Sequence, residues 1–430
     1  MHRLKSGILF TAIICVFSSV AWGQASKSPI TSKGIGDVYD MGLIHNKGMG
    51  DIGISNGSYW YLNNLNPALL PYNSLTIFTA GLVGEQRTIS NSTTSETNSG
   101  GNLEFLVLAL PMKPGKWTSS IGLMPYSNVD YEFSYSGTVV GNDTLSATIT
   151  ERGTGGYNQV FFSNGVAINK NFSVGLRAAY IFSSIETESL ASIDNFNSQG
   201  INFTPNFLNR VSVSDFMFGA GLAYRKDSIF NNKIRLNLGL TYDFKGDLNA
   251  KKYVAREQTT SGVPVTSDTL DSQKGSIVIP HSFGAGISLT NGYKWTIGAD
   301  VKMQQWSDYK SFEGSNDNLA NSFKIGLGGE YTPDYSSVNS YLKRVTYRLG
   351  VTYEDTPYVI GQDLTSGKQL KDFGINFGWS LPVGRLSSLD FAFKVGKRGS
   401  VSDNSIEEDY YQVHLGFNFN DQWFVKRKYD

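Results

Sequence analysis

Apolar and polar side chains alternate along this chain with a period of two, over about a dozen residues at a time. That confines the chain to β-structure with one face in apolar surroundings. Residues 233–245 set Ile234, Leu236, Leu238, Leu240, Tyr242 and Phe244 against Lys233, Arg235, Asn237, Gly239, Thr241, Asp243 and Lys245. The pattern returns at 172–182, where Phe172, Val174, Leu176, Ala178, Tyr180 and Phe182 share a face, and at 411–419. Further copies run through 293–304, 323–331, 345–354 and 373–381, and no stretch carries a helical period.

Fourteen such segments follow one another between residues 73 and 420. The connections after the odd-numbered segments are long and polar, as at 187–207 and 247–276. Those after the even-numbered ones are tight, as at 112–116, 169–171, 290–292 and 382–385. This parity is the habit of outer-membrane barrels, with short turns inside and long loops outside, and a soluble sandwich has no reason to keep it. The expected fold is therefore all-β, a 14-stranded antiparallel transmembrane β-barrel spanning 73–420. Many segments exceed the roughly 9–11 residues needed to cross a bilayer, so the wall should rise beyond it on the outer side. Trp117, Phe172, Tyr293, Trp295, Tyr331, Tyr358 and Tyr411 lie near segment ends, where interfacial girdles belong.

Compartment and composition agree. His2, Arg3 and Lys5, the apolar run Ile8–Val20 and the sequence Ala21-Trp22-Gly23 read as a signal peptide over 1–23. The run is too short for a spanning helix. The single cysteine, Cys15, falls inside it, which removes disulfide and thiolate chemistry from the exported part. Without Arg3 and Lys5 the chain carries 35 basic and 37 acidic residues, a balance that selects neither nucleic acid nor an anionic surface. The remaining histidines, His45, His281 and His414, have no metal-ligand spacing, and no nucleophile elbow or phosphate loop is present. The expectation is no enzyme, no cofactor and no metal.

Residues 24–72 precede the first strand and resemble none of the others. They are rich in Gly and Asn, yet Tyr59, Trp60, Tyr61, Leu62, Leu65, Leu69 and Leu70 are too apolar for a solvated tail. A segment that enters the barrel and plugs it would bury them.

The order of features resembles the FadL/OmpP1/TodX family of outer-membrane transporters for hydrophobic compounds. The matching features are Gly48-Met49-Gly50-Asp51, then Asn66-Pro67-Ala68 just before the first strand, then fourteen strands. Gly155-Gly156-Tyr157-Asn158-Gln159, Ile279-Pro280 and Tyr347-Arg348-Leu349-Gly350-Val351 are shorter echoes. The resemblance covers nearly the whole exported chain. It implies an N-terminal hatch at 24–72 inside the lumen, with Asn66, Pro67 and Ala68 as the hatch motif. It also implies a defect in the third strand that lets a ligand out sideways. Here that strand holds Pro125, Ser127 and Asn128, and a proline cannot donate to the ladder. A bulge without consequence for transport is the competing reading.

Parity places Arg177, Arg235, Asp300, Lys302, Lys324, Glu330, Arg348 and Lys394 on the lumen side. Paired structural networks are the ordinary use of such charges. Contact of Arg177 or Arg348 with a ligand carboxylate is the alternative. Residues 421–430 form a basic tail expected in the periplasm, similar to the endings of Bacteroidetes barrels. The resemblance implies passive uptake of long-chain fatty acids or aromatic hydrocarbons by a monomer set in outer-membrane lipid and lipopolysaccharide. A barrel serving as partner or shuttle in a type IX-like secretion system is the other reading, and a general porin the third.

Overall fold

The structure, a computed structural model, describes residues 26–422 apart from 140–141, 194–203, 230–233, 261–262, 362–366 and 385. The signal peptide and the tail from 423 onward lie outside the described residues. Fourteen strands close into one antiparallel barrel. They are β1 Thr76–Ser90, β2 Ser95–Lys113, β3 in two pieces Trp117–Pro125 and Ser127–Val139, β4 Asn142–Ala167, β5 Phe172–Ile193 and β6 Thr204–Ile229. Then come β7 in two pieces Ile234–Asp243 and Gly246–Thr260, β8 in two pieces Val263–Ile279 and Ser282–Asn291, and β9 Trp295–Gln304. The set ends with β10 Ser322–Tyr331, β11 Thr346–Ile360, β12 Lys368–Val383, β13 Ser387–Ser400 and β14 Ile406–Asp421. The seam is closed by β14 against β1, from Glu407 opposite Ser90 to Asp421 opposite Thr76.

Alternation is realised strand by strand. Ile121, Leu176, Leu222, Ile297, Leu349 and Phe377 are among the large apolar side chains exposed on the outside. A belt of this kind around a closed wall has no place in water and fits hydrocarbon. The eight charged residues assigned to the lumen by parity all face inward, each on the side opposite the belt. Tyr358 departs from the girdle expectation: it is 4% exposed, and its hydroxyl donates to the Gly36 carbonyl at 2.7 Å.

The connections differ from the expectation in kind. Residues 187–193, 204–207, 247–260 and 263–276 are not loop but strand, and they carry β5–β6 and β7–β8 onward past the belt. Neighbouring extensions pair with one another, β4 with β5 up to Ala147 opposite Ile193 and β6 with β7 up to Thr204 opposite Thr259. Beyond the bilayer both faces of the sheet meet water, so the two-residue pattern fades and composition looks loop-like. The ladder continues there on backbone bonds and on cross-strand hydroxyl pairs such as Ser134 with Thr150 and Tyr253 with Thr269. The wall is consequently tall from β3 to β8 and low from β9 to β14.

Candidate functional site

The ladder between β2 and β3 stops early. It runs from Lys113 opposite Trp117 to Leu106 opposite Leu123, although β2 continues to Ser95 and β3 to Val139. Pro125 ends the lower piece of β3. Above it the free edge of β3 takes a different partner, the N-terminal segment. Asp37 and Val38 pair with Asn128 and Ser127, Tyr39 N–H donates to Tyr126 carbonyl oxygen at 2.9 Å, and Ser127 Oγ donates to Ile35 carbonyl oxygen at 2.6 Å. Ser28 N–H reaches Asp130 carbonyl oxygen at 2.8 Å. The interruption in the wall is thus filled from inside by residues 28–39.

The same segment is tied across the lumen by ion pairs. Asp37 takes Arg87 and Arg398, the latter at 2.8 Å. Asp40 takes Lys302 at 2.9 Å and also Lys324, and Asp51 takes Lys324 at 2.9 Å and Lys47 at 3.4 Å. Burial opposes ionisation of Asp40 and Asp51, but Lys302, Lys324 and Lys47 around the first and Lys324, Lys47 and Lys394 around the second hold both carboxyls well below the usual range. Asp300 accepts the backbone N–H groups of Gly53 and Ile54 at 2.6 and 2.7 Å. Residues 48–50 lie so close to β10–β12 that a Cβ on Gly350 would overlap Gly50 N, and one on Gly378 would stand 2.9 Å from Gly48 Cα.

Two chambers flank the short strand Asp37–Val38. One, about 150 Å³, lies beside the interruption between Glu104 of β2 and Pro125 of β3, and ion-paired side chains such as Arg87, Lys324 and Arg398 dominate its lining. The other, about 70 Å³, mixes Met41, Leu65, Ile181 and Met217 with Arg177 and Lys302. Val38 and Tyr39 belong to both linings.

The residues singled out from sequence fall into three places. Asn66, fully buried, caps the turn Pro67–Tyr72 by accepting Ala68 N–H at 3.0 Å, and its Nδ2 donates to Ile54 and Leu222 carbonyl oxygens at 2.8 and 3.1 Å. It fastens the segment to β6, and Pro67 and Ala68 sit over Gly175 of β5. Pro125, Ser127 and Asn128 lie together at the interruption. Arg177 pairs with Asp243 and lines the smaller chamber. Arg348 is far from it: the guanidinium bonds Glu330 at 3.1 Å and Ser380, and lies over the Tyr61 ring at 4.7 Å. Sequence reasoning missed Asp37, Asp40 and Asp51. Their signal was available, since three inward lysines on separate strands need anions and the preceding Gly/Asn-rich segment holds these carboxylates.

The BamG family model matches residues 4–430. The chain belongs to the BamG family. No curated protein matches it in sequence. Among solved structures, this BamG-family chain is similar to the Pseudomonas putida toluene transporter TodX, at TM-score 0.55 and 16% identity over 90% of this chain and 99% of that one. The Ralstonia pickettii toluene transporter TbuX gives 0.56 and 16% over 89% and 98%. A Pseudomonas aeruginosa FadL homologue gives 0.51 and 14% over 90% and 98%. The BamG-family fold is that of the FadL/TodX outer-membrane barrels.

Proposed function

We propose that this BamG-family barrel is a passive conduit for the uptake of hydrophobic small molecules, long-chain fatty acids or aromatic hydrocarbons, with a sideways exit between β2 and β3. The observation that carries the reading is the missing β2–β3 ladder, filled among the described residues by residues 28–39. Moving the strand Asp37–Val38 would join the two chambers and uncover the interruption, so residues 24–72 act as the hatch and Asn66, Pro67 and Ala68 as its fixed end. Arg177, beside an apolar lining, is the better placed of the two arginines for a ligand carboxylate. The similarity to structures that include two toluene transporters supports the cargo class. A signal peptide over 1–23 would deliver the chain, a monomer in contact with lipid and lipopolysaccharide, and residues 421–430 would face the periplasm.

The test is a reversible lock. Val38→Cys with Ser127→Cys joins residues that are partners in register, in a chain whose only other cysteine is Cys15. Uptake of radiolabelled oleate or toluene by cells carrying the oxidised variant should fall to that of a deletion strain and recover on reduction. Uptake that ignores both the lock and the deletion refutes the conduit.

A second reading, partner in a secretion-type assembly, is favoured by one observation. Above Asp130 the edge of β3 that faces β2 has no ladder partner among the described residues, and an open strand edge is a template for another chain. Recovery of only the single chain in a mild-detergent pull-down counts against it.

A further inference from the structure

The short-turn end of the barrel, which in outer-membrane barrels faces the periplasm, contains a third cavity. It measures about 530 Å³, more than either chamber above it. Residues 56–61 of the N-terminal segment meet there the turns that join β8 to β9, β10 to β11 and β12 to β13. Its composition differs from that of the rest of the interior.

Three features define it. The first is a run of rings: Trp60 lies edge-on to Tyr293 at 6.5 Å, and Tyr293 edge-on to Tyr335 at 5.2 Å. Tyr293 and Tyr335 are more than half exposed, at 53% and 55%, and both line the cavity. The second is a wall of uncharged hydrogen-bonding groups, Thr290, Thr296, Ser336, Thr346, Ser388 and Asn418. The third is uncompensated polarity. Of the four basic lining residues, Arg235 is paired with Asp227 at 2.5 Å, and Asp227 also stands 3.7 Å from Arg225. Glu330 is taken by Arg348. Lys294 and Arg344 have no carboxylate partner among the described residues, and Arg344 Nε is buried without an acceptor. Asn420, 4% exposed, spends its Nδ2 on the Trp60 and Leu386 carbonyl oxygens while its Oδ1 has no donor.

Buried polar atoms left without partners are costly unless a ligand or water supplies them. A hydrocarbon would supply none. The wall groups already bond within the chain, so a ligand matched to this lining adds hydroxyl or amide groups to an existing polar network, a flat face for the rings and an acidic group for two cations. We propose that the vestibule binds an acidic saccharide, its ring against Tyr293 and Tyr335 and its carboxylate at Arg344 and Lys294. An acidic peptide meets the charge but not the density of hydroxyl partners. The site is independent of transport through the lumen.

The experiment titrates the purified full chain in detergent with N-acetylmuramic acid, digalacturonic acid, neutral chitobiose and a short Glu/Tyr peptide. It follows tryptophan fluorescence and isothermal heat. Saturable binding of the acidic sugars is expected, with chitobiose at least about tenfold weaker. Tyr335→Ala and Arg344→Gln, both at the rim, should each weaken the acidic sugars roughly tenfold while heat-modifiable gel mobility stays that of the folded barrel. No saturable binding of either acidic sugar, equal binding of chitobiose, tighter binding of the peptide, or affinity untouched by both substitutions would each overturn the proposal.

Discussion

From β9 to β14 every strand is unbroken and 10–16 residues long. From β3 to β8 three of the six are interrupted, and β4, β5 and β6 reach 26, 22 and 26 residues. The unbroken half supplies Lys302, Lys324, Lys394 and Arg398 to the carboxylates of the N-terminal segment and the inward glycines that let residues 48–50 approach. The interrupted half receives the edge contacts of residues 28–39 and the Asn66 clasp. One side of the wall is an anchor with a regular lattice of inward positions. The other keeps the irregularities, which regular pairing would have erased. Closed sheets tolerate breaks where something else satisfies the exposed backbone, and at the β3 break, up to Asp130, the chain's own N-terminal segment does so.

Substitutions can break or sharpen this contrast. The largest effect is expected from Gly350→Leu on the anchoring side, because the new side chain meets the backbone of Met49 and Gly50, which cannot yield. The heat-modifiable band should be lost, or stability should fall by at least ~3 kcal/mol. Lys324→Met leaves Asp40 and Asp51 buried and short of a cation, and should cost about 3–5 kcal/mol in denaturant melts followed by circular dichroism. Asp300→Asn keeps the shape but loses the charge behind two backbone bonds, with a loss of about 2 kcal/mol and faster amide exchange at Gly53 and Ile54. On the tall side Arg152→Met removes a guanidinium that is 43% exposed beside Glu132 and Glu188. The change should stay below ~1 kcal/mol. If the Arg152 variant were as damaging as the Lys324 one, the division into anchor and irregular half would be wrong.

Much of this was legible beforehand, for a physical reason. Within the bilayer every other side chain must be apolar, so Leu236, Leu238 and Leu240 announced their strand and the facing parity put Arg235, Lys302 and Arg348 inside. Pro125 announced a broken ladder because it lacks a donor. The strand extensions within 187–207 and 247–276 were hidden because alternation is enforced only where lipid touches one face. Asp37, Asp40 and Asp51 were missed because Arg398, Lys302 and Lys324 lie more than two hundred residues from them, a distance that local pattern does not report, although Arg87 and Lys47 are nearer. That Arg348 would stack on Tyr61 instead of facing an open lumen had no signal in its own strand.

The ion-paired segment also sets the order of assembly. Ser28 bonds to Glu408, and the Trp60 carbonyl oxygen accepts from Asn418 and Asn420, all three on β14, the last strand to be made. Residues 26–72 precede every strand of the barrel, and these contacts are complete only when β14 is in place. Closure of the seam and burial of the segment are one event, coupled across nearly the full length of the chain. A barrel open at that seam would lack these contacts, and the first described residues would have no hold on the last strand.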